Sequence, residues 1–445
     1  MKRIVFACFI LALLCLGAGC SRQPEAVDTP TVAPTESVSA QFRSDALEKY
    51  VIVYGEENPD YYDLAYRLND HIYEKYGVLL MTACDTRSAP AQYEILIGDT
   101  NRCDAQGRVM EYAVTVEDGQ FRIHTGGSFS AEKAVDFLCE QVFTGQELIL
   151  EPGQYYQTSL LTTAQPVTEG VTARIMTANL LADAFADGSY NKAHYRAEIF
   201  AGMLLSYTPD VVGLQEVDES WGQALDLYLE KLQKTHGIRY ARLLATWEDK
   251  TNYTCLLYRA DKFQPENSGI SVFSWWENET FRHDYHMRNI SWAEFSSLED
   301  PAKSFIVANT HWSYRTEHAD GNTYLTGADG SVQVNELRLQ CKDETNDFLS
   351  QLQQQYPQTP IFLTGDFNTS LLFFTESGWT PQGFRIISQE AKACNAALSL
   401  VPTEGHFDHL FGAGDYQIGY YAFFNDANYH SLLTDHPFAY TDLTF

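Results

Sequence analysis

The chain of 445 residues contains little cysteine, and no two of its cysteines stand in a CxxC pair. Three of the nine lie within the first twenty residues, at Cys8, Cys15 and Cys20. The other six are spread singly, at Cys84, Cys103, Cys139, Cys255, Cys341 and Cys394. Because single thiols are common in protein cores, we expect neither a zinc site nor a required disulfide framework. One bridge in each region stays open as an alternative.

Basic residues are also few. Lysine and arginine total 30 against 59 aspartates and glutamates, a formal net charge of −29. Such a surface repels polyanions on average, so following a nucleic-acid backbone carries an electrostatic penalty. Duplex DNA is therefore not the favoured partner, although a local cationic site or a bound metal can override the average.

The apolar stretch at the start of the chain is too short to cross a bilayer. It runs from Ile4 to Leu16, thirteen residues, whereas a membrane-spanning helix needs roughly 20. Two basic residues precede it and Gly17–Cys20 follows, which is the order of a secretory signal. The small residues before Cys20 resemble a bacterial lipobox, so we expect residues 1–20 to be a lipoprotein signal peptide. Leu16 stands one place earlier than the lipobox prefers, and an ordinary signal peptide is the alternative.

Lipidation at Cys20 would anchor the protein to the cell membrane, facing the extracytoplasmic side. Residues 21–45 are rich in Pro, Thr, Ser, Glu and Ala and hold almost no large apolar side chain. Such a segment cannot bury enough surface to fold, and we expect a flexible linker there.

Residues 46–160 are expected to form a small α/β accessory domain. Val51–Tyr54 predicts a strand, and apolar residues at helical spacing predict a helix from Tyr61 to Tyr76. The sequence also predicts a second helix, Ser130–Phe143, with the Ser130 hydroxyl as its N-cap. No cluster of catalytic residue types occurs here, so a structural or accessory role is the default.

In residues 172–445, several apolar runs end in a polar residue, as strands do at an active-site edge. These runs are Arg174–Ala178, Val211–Leu214, Ser304–Asn309, Ile361–Thr364 and Phe438–Tyr440. The polar residues at or after such runs include Glu216, His311 and Asp366, and further carboxylates and a histidine follow at Asp408, Asp435 and His436. Oxygen ligands without cysteine suit a hard cation such as Mg²⁺ or Ca²⁺. A metal, an activating imidazole and donors to phosphate oxygens are the groups that phosphoester cleavage needs.

The order of these blocks resembles the endonuclease/exonuclease/phosphatase superfamily. The blocks are Asn179, LQE at 214–216, NTH at 309–311, GDFN at 365–368, Asp408, and DH at 435–436. That superfamily includes DNase I-like nucleases, apurinic endonucleases, neutral sphingomyelinases and inositol-polyphosphate phosphatases. The resemblance implies a four-layer α/β sandwich (DNase I-like) for residues 172–445, placed after the small α/β domain.

The resemblance also implies a role for each site residue. Glu216 would bind the catalytic Mg²⁺ (or Mn²⁺ or Ca²⁺), with Asn179 beside it and Asp435 near it. Asp366 and Asn368 would position the water or the phosphate. His311 would donate to a phosphate oxygen or to the leaving group. His436 would be the general base or acid, oriented by Asp408, and histidine titrates near working pH with little tuning.

The sequence therefore predicts an extracytoplasmic, metal-dependent phosphodiesterase or phosphatase acting on small or lipid-linked phosphoesters. An extracellular nuclease is the nearest alternative, and a lipid-anchored binding protein whose site no longer turns over is the second. Arg288 and Arg338 could clamp a phosphate, but arginines more often form salt bridges, and they are not among the predicted site residues. The carboxylate partner of His311 and the oligomeric state are not assigned.

Overall fold

The structure, a computed structural model, describes residues 41–102, 107–161, 166–167, 169–186, 192–274, 287–313, 336–371, 374, 380–393, 406–424 and 429–445. The predicted signal peptide, Cys20 and nearly all of the linker lie outside these residues, as do Cys103 and Cys394. Within them, Cys84, Cys139 and Cys255 are free thiols. None of the helices described is both long enough and apolar enough to cross a bilayer. The chain from Ala40 to Phe445 forms one compact unit.

The first part of this unit is a six-stranded mixed sheet with its helices on one face. Its strands and those of a neighbouring two-stranded pair are β1 (Phe42–Arg43), β2 (Val51–Tyr54), β3 (Met81–Cys84), β4 (Glu94–Ile97), β5 (Glu111–Glu117), β6 (Gln120–Thr125), β7 (Ile149–Leu150) and β8 (Gly153–Ser159). The sheet order is β3-β2-β4-β6-β5-β8, and β1 pairs with β7. Helices α1 (Asp60–Tyr76) and α2 (Ser128–Phe137) cover it. Leu68 and Ile72 of α1 pack with Ala134 of α2 and with Ile52 and Ile95 of the strands.

The predicted N-cap of α2 is wrong by three residues. Gly127 occupies that position, and the Ser130 hydroxyl accepts a hydrogen bond of 3.0 Å from the Gly127 N–H. Ser130 thus acts from the third position of the helix, where a side-chain acceptor satisfies the N–H of the cap residue. The predicted single helix also ends early, at Phe137, and a π-helical turn continues it over Leu138–Val142.

The second part consists of two six-stranded sheets and a separate two-stranded pair. Its strands are β9 (Ala173–Asn179), β10 (Val211–Gln215), β11 (Tyr240–Leu243), β12 (Thr246–Trp247), β13 (Lys250–Thr251), β14 (Leu256–Arg259), β15 (Phe263–Val272), β16 (Asn289–Ser297), β17 (Ser304–His311), β18 (Ile361–Asp366), β19 (Phe384–Ile386), β20 (Asp408–Ala413), β21 (Gln417–Phe424) and β22 (Phe438–Thr444). The helices are α3 (Ala193–Tyr207), α4 (Glu219–His236), α5 (Glu336–Gln355) and α6 (Ile387–Ala393). One sheet has the order β11-β14-β10-β9-β22-β21 and the other β15-β16-β17-β18-β20-β19.

Alternate residues of the central strands point into different cores, and this alternation defines four layers. In β10, Val212 and Leu214 pack under α3 and α4, whereas Val211 faces the second sheet. In β17, Ile306 packs toward α5, and Phe305 faces the first sheet. Successive side chains of a strand point to opposite faces of the sheet, so both faces of each sheet are buried. The order helix, sheet, sheet, helix confirms the predicted four-layer α/β sandwich.

Asn309 joins the two sheets beneath their shared edge. Its Nδ2 donates to the carbonyl oxygens of Leu214 at 2.8 Å and Cys255 at 3.0 Å. Its Oδ1 accepts from Gln215 Nε2 at 2.6 Å and from the Thr364 hydroxyl at 3.0 Å. Gly213 permits this close approach, because a Cβ there would lie 2.0 Å from the Thr364 hydroxyl oxygen. The buried amide thus sets the spacing of the strands that carry the site.

Glu198 of α3 connects the sandwich to the small sheet. Its two carboxylate oxygens accept hydrogen bonds of 3.0 Å from the backbone N–H groups of Met110 and Ser130. Burial raises the pKa of Glu198. The hydroxyl of Tyr228 in α4 accepts from the Ser128 N–H at 3.3 Å. The contacts of Glu198 with Ser130 and of Tyr228 with Ser128 satisfy N–H groups in the first turn of α2. These N–H groups have no partner within the helix.

Candidate metal and catalytic site

The site lies at an edge where four strands end. In the first sheet β9 and β10 run parallel, so Asn179 stands beside Gln215, the residue before Glu216. In the second sheet β17 and β18 run parallel, and His311 stands beside Asp366. Because the sheets pack face to face, these carboxyl ends meet. The structure thus brings together Asn179, Glu216, His311 and Asp366, which the sequence predicted from four separate blocks.

Glu216, His311 and Asp366 form a compact cluster of metal-ligating atoms. One ligand atom from each lies within 4.8 Å of the others. The imidazole Nε2 of His311 lies 3.2 Å from Asp366 Oδ2 and 3.9 Å from Glu216 Oε1. Asp366 is therefore the carboxylate partner of His311 that the sequence did not assign.

Asn179 orients both carboxylates of the cluster. Its Nδ2 donates to Glu216 Oε1 at 3.1 Å and to Asp366 Oδ2 at 3.0 Å, and its Oδ1 accepts from the Leu181 N–H at 3.0 Å. The other oxygen of Glu216 accepts from the Ala182 N–H at 2.9 Å. With its amide nitrogen toward the cluster, Asn179 positions the two carboxylates. Its predicted place beside a metal stays a prediction.

Neighbouring charges and hydrogen-bond donors lower the pKa of both carboxylates of the cluster. Burial raises the pKa of Glu216, but the charge of His311 and the donors Ala182 and Asn179 outweigh it, and the net shift is downward. Burial likewise raises the pKa of Asp366, and the charges of His436 and His311 bring it below its usual range. One buried and one partly buried carboxylate beside one imidazole form a donor set suited to a hard divalent cation.

His436 and Asp408 form a second unit beside the cluster. His436 Nδ1 lies 2.8 Å from Asp408 Oδ2 and 3.9 Å from Asp366 Oδ2. Burial lowers the pKa of His436, but the charges of Asp408 and Asp366 outweigh burial and raise it well above its ordinary value. The Asp408 Oδ1 atom is buried and has no hydrogen-bond partner among the described residues. An acceptor is therefore available next to the imidazole.

Asn368 and Asp435 are placed differently from the residues above. Asn368 donates from its backbone N–H to Asp366 Oδ1 at 2.8 Å and from Nδ2 to the Trp312 carbonyl at 3.0 Å. It therefore holds Asp366 and the end of β17 in place. Asp435 is exposed and does not belong to the three-residue cluster. The water- or phosphate-positioning role of Asn368 and the metal-proximal role of Asp435 stay predictions.

Two arginines that were not among the predicted site residues also reach this region. Arg288 is buried, and it donates to the Trp312 carbonyl at 3.1 Å. Arg338 is half-buried, and its Nε donates to the Ser313 carbonyl at 3.2 Å. The charge of Arg288 acts on Glu216 and that of Arg338 on Asp366. The sequence alone could not identify Arg288, because its position depends on the pairing of β16 with β17. That pairing places Arg288 opposite the end of β17, where the NTH motif lies.

No family model and no curated protein matches the chain. Among solved structures, it is similar to an endonuclease/exonuclease/phosphatase from Bacteroides vulgatus, with 20% identity, 61% of this chain and 98% of that chain covered, and a TM-score of 0.46. A mannosyl-6-phosphatase from Bacteroides thetaiotaomicron has 18% identity, coverages of 62% and 100%, and a TM-score of 0.44. The human Nocturnin catalytic domain with bound sulfate has 16% identity, coverages of 61% and 94%, and a TM-score of 0.44.

Proposed function

We propose that the chain is a divalent-metal-dependent hydrolase of phosphoester bonds. The observation that carries this proposal is the meeting of Glu216, His311 and Asp366 at the strand ends, with the His436–Asp408 pair beside them. Glu216 and Asp366 would hold the cation, and Mg²⁺ fits their ionised oxygens best, with Mn²⁺ or Ca²⁺ as substitutes. When bound, the cation would neutralise charge that develops on the phosphoryl oxygens.

The protein's own groups supply the remaining steps. Asp408 holds Nδ1 of His436, which leaves Nε2 of that ring as the atom that takes or gives a proton. His311, held by Asp366, donates to a phosphoryl oxygen or to the leaving group. Asn179 and Asn368 keep the two carboxylates fixed, which reduces reorganisation when the substrate charge changes.

The substrate class follows from charge. A net charge of −29 opposes the approach of a long polyanion, so small or lipid-linked phosphoesters are the proposed substrates. Attachment to the membrane through Cys20, on the extracytoplasmic side, would place the site near such lipids. The substrate class and the attachment through Cys20 are both proposed.

Hydrolysis of a substrate panel tests the proposal. The chain without residues 1–20 is assayed with bis-p-nitrophenyl phosphate, a phosphomonoester, sphingomyelin, inositol phosphates and plasmid DNA, each with Mg²⁺ and with EDTA. We expect turnover that EDTA removes and that Glu216→Gln and His436→Asn reduce at least about 100-fold. Glu219→Gln, an exposed carboxylate at the start of α4, is the matched control and keeps full activity.

Other results of this assay would favour an alternative function or contradict the proposed site. Preference for plasmid DNA would establish the nuclease alternative. Metal binding without turnover of any substrate would overturn the enzyme proposal and favour a binding protein. Turnover in EDTA, or turnover unchanged by both site substitutions, would contradict the proposed site.

A further inference from the structure

A cavity lies where the small sheet meets the sandwich, away from the cluster at the strand ends. Its volume is about 400 Å³, and its walls include Asn58 and Tyr61 on one side and Tyr228 and Lys231 of α4 on the other. No candidate catalytic residue lines it. The volume falls within the range of roughly 300–1,000 Å³ that is usual for small-molecule sites, which often form between domains.

The walls of this cavity are held in place by hydrogen bonds. Asn58 Nδ2 donates to the Ser128 hydroxyl at 2.8 Å, and the Tyr61 hydroxyl lies 3.1 Å from that of Thr125. Gly127 lines the cavity where the chain passes Tyr228, and a Cβ there would lie 2.1 Å from the Tyr228 hydroxyl. A preorganised wall limits the loss of side-chain freedom when a ligand binds.

The rim carries ion pairs rather than a single charge. Lys231 Nζ lies 2.7 Å from Asp99 Oδ2, and Lys234 Nζ lies 2.6 Å from Glu230 Oε1. Glu57 is the third carboxylate of the lining, so three negative groups face two positive ones. A phosphate or sulfate would therefore meet a net negative wall, and a purely apolar ligand would take water from the charged groups without replacing its hydrogen bonds.

We propose that this cavity binds a neutral saccharide. A sugar hydroxyl both donates and accepts, so neighbouring hydroxyls can donate to a carboxylate and accept from the ammonium paired with it. Tyr61 and Tyr228 line the same wall but are almost fully buried, so they shape the cavity rather than offer a ring face to the ligand. The site is independent of the proposed hydrolase function, because binding requires no turnover.

Calorimetric titration of the whole chain with methyl glycosides tests the site. The probes are the methyl glycosides of glucose, galactose, mannose and N-acetylglucosamine, with inorganic phosphate and ethanolamine as charged comparisons. We expect at least one neutral glycoside to bind and Lys234→Met to weaken it at least about tenfold. Lys75→Met on α1 is the matched control, since Lys75 forms a similar surface pair with Glu74 outside the cavity, and it leaves binding unchanged.

Lys234 is exposed on α4, so its substitution should keep the fold, and thermal melting of both variants verifies this. Failure of every neutral glycoside to bind at millimolar concentration would overturn the proposal. So would tighter binding of phosphate or ethanolamine than of any glycoside, and so would glycoside binding that Lys234→Met leaves unchanged. Inactive Glu216→Gln should still bind the glycoside, which separates this site from the catalytic one.

Discussion

His436 and Asp408 meet from two separate segments of the chain, with Nδ1 2.8 Å from Oδ2. Asp408 is the first residue of β20, and His436 lies in the loop before β22. Asp408 is fully buried, so its charge acts on the imidazole with little screening by water. The carboxylate therefore orients the ring and raises the pKa of His436.

Removing the charge of Asp408 should change the pH dependence of hydrolysis. Burial lowers the pKa of His436, and the charges of Asp408 and Asp366 raise it, so Asp408→Asn lowers it. If His436 acts as the base, the rise of kcat/KM with pH moves to lower pH, and the maximal rate falls about 100-fold or more. A pH series with bis-p-nitrophenyl phosphate measures both.

Asp415→Asn is the control for this experiment, since Asp415 is exposed in the turn after β20. Its profile should match that of the wild type. An Asp408→Asn profile with the same midpoint and rate as the wild type would contradict a role for the pair in proton transfer.

Mg²⁺ should stabilise the folded protein through the cluster at the strand ends. A ligand that binds only the folded state adds about 2.7 kcal/mol at a concentration 100 times its Kd. Glu216→Gln should abolish this gain, because it removes one anionic ligand. Thermal melting with Mg²⁺ and with EDTA measures the difference, and the Glu219→Gln protein should respond like the wild type. A Mg²⁺-induced shift of equal size in Glu216→Gln would place the metal elsewhere.

Glu216→Gln should also lower stability without metal. The two oxygens of Glu216 accept from Asn179 Nδ2 and the Ala182 N–H, and a glutamine amide can accept with only one of its two polar atoms. One buried donor then faces an N–H group, which costs about 1–3 kcal/mol. Urea unfolding in EDTA measures this loss. Equal stability of variant and wild type would show that the two hydrogen bonds do not constrain the carboxylate.

The sequence predicted those parts of the molecule that depend on short runs of neighbouring residues. The strand Val211–Leu214 was predicted one residue short of β10, and Ile361–Thr364 two residues short of β18, because buried strands appear as continuous apolar runs. The polar residues after these runs were found for the same reason. The resemblance then supplied the order of sheets and helices.

What the sequence did not show depends on pairing between distant segments. The contact of His311 with Asp366 requires β17 to lie parallel to β18, and Arg288 enters the site through the pairing of β16 with β17. The sequence did not predict the burial of Glu198, because a glutamate within a helix normally faces solvent. Its burial follows only from the small sheet that packs on α3.

Asn309→Ala should destabilise the sandwich strongly. The change removes both donors to Leu214 and Cys255 and leaves Gln215 and Thr364 without their shared acceptor. Each buried group left unsatisfied costs about 1–3 kcal/mol, so a total loss of about 3 kcal/mol or more is expected. Asn267→Ala is the control, because Asn267 bonds Glu294 at the exposed surface. Urea unfolding compares the two, and similar losses for both would contradict the role of Asn309 between the sheets.

His409 should make the protein sensitive to mild acid. It is buried against Phe367 and Phe411, and its Nε2 donates to the Thr369 carbonyl at 3.1 Å. Burial lowers the pKa of His409 to about 4, whereas an unfolded histidine titrates near 6.5. The folded state therefore binds this proton less readily, and its stability falls as the pH drops from about 6.5 toward 4.

At pH 5 this single group should reduce the free energy of unfolding by about 2 kcal/mol relative to pH 7. His409→Gln keeps a donor for Thr369 but does not titrate, so the difference between the two pH values should shrink by that amount. His71→Gln is the control, since half-buried His71 also contacts a backbone carbonyl, that of Phe143 at 2.9 Å. Urea unfolding at both pH values gives the comparison. If His409→Gln loses as much stability between pH 7 and pH 5 as the wild type, the acid sensitivity has its origin in another group.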